Sequence, residues 1–217
     1  QEIIAKKKSS LFLGEFLITT LPVAFYYHES LSLLRKQLEL AFTSWQNSTA
    51  PLEEVWICYE AIALGLKEQI QPQPLKQILN LSSVLTTPLR EKLELLQTEI
   101  DRGTGLERVM GGLIHHDSLQ KIASPDRVKF NELERIHNAI ALALYFFACT
   151  PEDFTLAVTR AMRTSAQNPL TAALTGAISG VYNGINSISS DRHEFPETKV
   201  QAHLLFASWA GVNKVES

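Results

Sequence analysis

A helix start late in the chain is the feature of this sequence best suited to bind a ligand. Asn168 can cap a helix that begins at Pro169 and runs to a glycine stop at Gly184. The first turn of a helix presents backbone N–H groups that have no partner inside the helix, together with the positive end of the helix dipole. The chemistry expected at this helix start is therefore the binding of an anion through backbone hydrogen bonds.

Metal and nucleophile chemistry have weaker support. His115, His116 and Asp117 carry metal-ligating side chains, but adjacent residues point apart and no further ligand follows at a suitable spacing. A Ser-His-Asp triad stays open, because its members need not be close in the chain. The sequence has no Gly-x-Ser-x-Gly, Gly-x-Gly-x-x-Gly or phosphate-loop motif, so the nucleotide-binding folds that use the latter two are excluded.

Composition narrows the class of protein and its partners. The chain has 217 residues, of which 45% are hydrophobic, and a formal net charge of −3. This excludes disorder and the basic field that nucleic-acid binding needs. Glu15 and Pro22 interrupt the apolar stretch from Leu11 to Tyr27, so we expect neither a membrane span nor a targeting segment. Cys58 and Cys149 lie in hydrophobic contexts and are expected to be reduced core residues, which indicates a cytoplasmic protein.

Helical periodicity runs through nearly the whole sequence and predicts an all-α fold, a single compact orthogonal helical domain over residues 1–217. The segment from Asn131 to Phe147 is apolar nearly all round and is expected to be a central buried helix. The other predicted helices run over Ser30–Trp45, Pro51–Lys67, Pro74–Asn80, Thr87–Ile100, Leu106–Leu113, Pro151–Thr164 and Pro169–Gly184.

Four further expectations concern side chains. Small residues at 172, 173, 176, 177 and 180 line one side of the helix that begins at Pro169 and favour a close approach to a neighbour. Thr150 is expected to cap the helix that starts at Pro151. The charged runs Glu53-Glu54, Arg90-Glu91-Lys92 and Glu132 to Arg135 are expected to be solvated faces, and His137 a boundary residue.

Two runs of residues resemble a known family. They are Ala172-Ala-Leu-Thr-Gly-Ala-Ile-Ser-Gly-Val-Tyr-Asn-Gly184 and Gly14-Glu-Phe-Leu-Ile-Thr-Thr-Leu-Pro-Val-Ala-Phe-Tyr26. The first is similar to the Ala-Ala-Ile-Ala-Gly-Ala-x-x-Gly-x-Tyr-x-Gly helix of the ADP-ribosylglycohydrolase family, and the second to its Asn-Gly-x-x-Met-Arg-x-x-Pro-x-x-x-Tyr stretch. That family consists of all-α hydrolases that remove ADP-ribose from modified side chains. The turn Thr150-Pro-Glu-Asp-Phe154 also lies where the family joins two helices.

The resemblance also locates a departure. In the family, an Asp-x-Asp-Thr segment before the signature helix helps to hold a pair of magnesium ions, and an upstream Thr-Asp-Asp-Thr segment completes the site. The aligned positions here read Gln167-Asn168-Pro169-Leu170, so an amide and a proline replace the two carboxylates. The upstream segment would fall ahead of Gln1. The resemblance therefore implies a degenerate metal site, with no catalytic residue, no metal ligand and no cofactor.

Three functions remain open at this point. The favoured one is a catalytically inactive ADP-ribosylglycohydrolase-like protein, a pseudoenzyme, that binds an ADP-ribose-like ligand or a protein partner. Its vestigial cleft is then expected around Ser165, Gln167, Asn168 and Thr171.

The two alternatives make different use of the chain. One is an active magnesium-dependent ADP-ribosyl hydrolase whose acids lie outside the aligned motif, at residues such as Asp153 or Asp191. The other is a ligand-free helical interaction protein, with the stretch from Leu11 to Tyr27 as its contact surface if that stretch is exposed.

Overall fold

The computed structural model describes residues 13–46, 52–71, 73–81, 87–113, 127–164, 169–188 and 196–212. Every regular element in these ranges is a helix, so the all-α prediction is confirmed. Within the same ranges, no helix is long and apolar enough to cross a membrane. The α-helices of the described residues are α1 (13–19), α2 (Leu21–Tyr27), α3 (Leu31–Gln46), α4 (Glu53–Leu66), α5 (Pro74–Leu81), α6 (Thr87–Asp101), α7 (106–113), α8 (Arg127–Cys149), α9 (Phe154–Thr164), α10 (Pro169–Asn183) and α11 (Pro196–Trp209).

The apolar stretch near the start of the chain folds into α1 and α2. Pro22 lies in the first turn of α2, where its missing N–H costs no helical hydrogen bond. A contact surface on this stretch would require exposure, and most of its described apolar side chains instead pack into the core. Those that are buried are Leu13, Phe16, Leu17, Leu21 and Ala24.

Several helix boundaries follow the capping signals of the sequence. Ser30 Oγ accepts a hydrogen bond from the Leu33 N–H at 3.4 Å, at the start of α3. Gly103 and Gly184 follow α6 and α10 with φ values of +64° and +70°, in the left-handed region that glycine tolerates.

The start of α9 differs from the prediction. Asp153, rather than Thr150, caps this helix, because Asp153 Oδ1 accepts a hydrogen bond from the Leu156 N–H at 2.8 Å. The helix therefore begins at Phe154 and not at Pro151.

Helix α8 is the central element, as predicted. Its residues from Ala139 to Phe147 are all buried, and α6, α9 and α10 pack against it. A helix that is apolar on every side needs neighbours on every side, which explains this position.

Among the described glycines, Gly65 of α4 makes the closest approach to a neighbouring helix. A side chain at Gly65 would place its Cβ 2.7 Å from Val181 Cγ2 of α10, which is closer than carbon atoms can pack. At Gly176 and Gly180 of α10 the corresponding distances to the nearest atoms are 3.9 and 3.8 Å, ordinary contacts. The prediction that the small residues of α10 make a close approach is therefore wrong at these two glycines. The buried residues of α10 are instead Thr171, Leu174, Thr175, Ile178 and Ser179.

The two cysteines are free, but their surroundings differ. Cys58 is fully buried in α4, and burial raises the pKa of its thiol. Cys149 is exposed at the end of α8, so the prediction of a core position holds for Cys58 and is wrong for Cys149.

Substitution of Gly65 tests the close approach of α4 and α10. We expect Gly65→Ala to lower the free energy of unfolding by about 1–3 kcal/mol, because the new methyl group forces Val181 and the two helices apart. The matched control is Gly111→Ala in α7, where a Cβ meets no atom within 4 Å and alanine favours the helix. Urea unfolding of both variants makes the comparison, and a Gly65→Ala protein as stable as the wild type would contradict this packing.

Candidate functional site

Helices α8 and α10 run in the same direction. Both are antiparallel to α9, since a short turn joins α8 to α9 and Gly176 and Gly180 of α10 face Val158 and Phe154 of α9. Their C-terminal ends also meet, because the rings of Phe147 and Tyr182 are 5.3 Å apart. The start of α10 therefore lies towards the end of the molecule where α8 begins.

Helix α4 ends beside α10. Gly65, in the last turn of α4, faces Val181, in the last turn of α10. The C-terminal ends of α4, α8 and α10 therefore lie close together. We call the opposite side, where α8 and α10 begin, the N-terminal end of the bundle.

The direction of α10 has an electrostatic consequence. Its N-terminus carries about half a positive elementary charge, and the effect falls off within the first turn. The first turn of α10 is consequently the part of this helix that favours an anion.

Thr171 is a buried polar residue at this end. It is the third residue of α10, its exposed fraction is 1%, and its Oγ1 has no hydrogen-bond partner among the described residues. Thr175, one turn later and equally enclosed, donates its hydroxyl to the Thr171 carbonyl oxygen at 2.8 Å. A buried hydroxyl without a partner is costly, and it is the kind of group that a bound ligand satisfies.

Other buried polar residues lie on neighbouring helices. Thr171 precedes Tyr182 by eleven residues, which places it opposite the part of α8 around residue 136. Glu134 and His137 are buried in this part of α8, and Lys92 is buried on α6.

Three expectations about charged and boundary residues are corrected here. Lys92 is 1% exposed and not part of a solvated face, because it continues the buried stripe of Leu89, Leu93 and Leu96 on α6. Glu134 is also buried, and His137 is 2% exposed rather than a boundary residue. The sequence signal for Lys92 was its position three residues after one core leucine and four before another.

The structure places only part of the predicted site. Thr171 lies at the start of α10, whereas Ser165, Gln167 and Asn168 lie outside the described residues. His115, His116 and Asp191 also lie outside them. Asp153, offered as an alternative acid, is exposed and caps α9 at the C-terminal end of the bundle, on the other side from Thr171.

The residues at the start of α10 do not form a magnesium-binding set. Leu170 is aliphatic and packs beside Gly14, with 3.4 Å between its Cδ2 and the Cβ that a side chain there would have. Thr171 offers one neutral hydroxyl, whereas magnesium prefers carboxylate oxygens. In the ranges that the structure describes, no group of three His, Cys, Asp or Glu side chains could hold a metal ion.

Comparison with known proteins gives one match. The model of a family described as ADP-ribosylglycohydrolase matches residues 12–205, which include α1 to α10 and most of α11. No curated protein and no solved structure matches the chain.

Replacing Thr171 by valine tests whether its hydroxyl lacks a partner. Valine keeps the shape and removes the polar group, so we expect Thr171→Val to raise the free energy of unfolding by about 1 kcal/mol. Thr175→Val is the matched control, because that hydroxyl donates a hydrogen bond and its removal brings no such gain. Urea unfolding measures both, and a Thr171→Val protein less stable than the wild type would contradict the assignment.

Proposed function

The chain belongs to the ADP-ribosylglycohydrolase family, and we propose that it is a non-catalytic member that binds ADP-ribose, or a ligand with a similar diphosphate, without a metal ion. The proposed site is the N-terminal end of the bundle, at the first turn of α10. The observation that carries the proposal is the buried, unpartnered hydroxyl of Thr171 at this position.

The charge of the ligand fits the dipole of α10. A diphosphate carries negative charge, and the positive end of the α10 dipole lies at the proposed site. The hydroxyl of Thr171 supplies a side-chain hydrogen-bond donor in this first turn. A site of this kind offsets the negative charge of the diphosphate with the helix dipole and hydrogen bonds. It therefore needs no cation, and no carboxylates to hold one.

The residues of the aligned metal segment support a binding role over hydrolysis. Gln167 and Pro169 occupy the positions of two family acids, and Leu170 occupies the position of a hydroxyl residue. A neutral amide and a proline supply none of the negative charge that holds a pair of divalent cations. The alternative acid Asp153 lies at the other end of the bundle, where it caps α9.

Calorimetric titration with ADP-ribose tests the proposal. We expect the same dissociation constant in the presence of magnesium and in the presence of a chelator, and no release of ADP-ribose from an ADP-ribosylated protein. Thr171→Val is expected to weaken binding about 10-fold or more, since a hydrogen bond to a charged group contributes about 1.5–3 kcal/mol. The control Thr175→Val is expected to bind as the wild type does, because its hydroxyl is already used within α10.

Two results would overturn the proposal. Binding that a chelator abolishes, together with release of ADP-ribose, would establish the magnesium-dependent hydrolase instead. An absence of heat with ADP-ribose in both buffers, for a protein shown by circular dichroism to be folded, would exclude a ligand of this class.

A further inference from the structure

We draw no further inference here: the strongest candidate, the pair of buried side-chain oxygen atoms that Glu134 and Asn138 carry one turn apart on α8, belongs to two side chains that interact elsewhere within the protein, and nothing in the described residues shows what ligand would face it.

Discussion

The packing of α10 against α4, α8 and α9 is the constraint on which the rest of the structure depends. α4 and α10 approach so closely at Gly65 that this position has no room for a side chain. Although Pro169 and Ala173 are exposed, Thr171, the third residue of α10, faces the neighbouring helices and is buried. The same packing brings the C-terminal ends of α4, α8 and α10 together.

This arrangement makes the start of α10 energetically unusual. A valine at position 171 would have nearly the same shape and would bury no unsatisfied hydroxyl. Selection for stability alone would therefore favour valine at this position. A cost of this kind is typical of functional sites, where a protein retains groups that only a ligand satisfies. In the proposed function, the hydroxyl and the helix dipole together replace the cations that the family holds with carboxylates.

Much of the fold follows from local signals in the sequence. Ser30 and Gly103 predict helix boundaries because capping depends on neighbouring backbone groups alone. Helix α11 is not predicted, because apolar residues on every side give it no single stripe. The burial of Lys92 and the missing partner of Thr171 depend on which helices surround them, and that information lies in the tertiary packing.

The measurement that tests the central claim most directly is hydrogen–deuterium exchange with and without ADP-ribose, in the presence of a chelator. The account predicts slower exchange in the first turn of α10, over residues 169–173, and no change in the turn at 150–153 at the other end of the bundle. Unchanged exchange at the start of α10 in a protein saturated with ADP-ribose, or protection confined to the 150–153 turn, would contradict it.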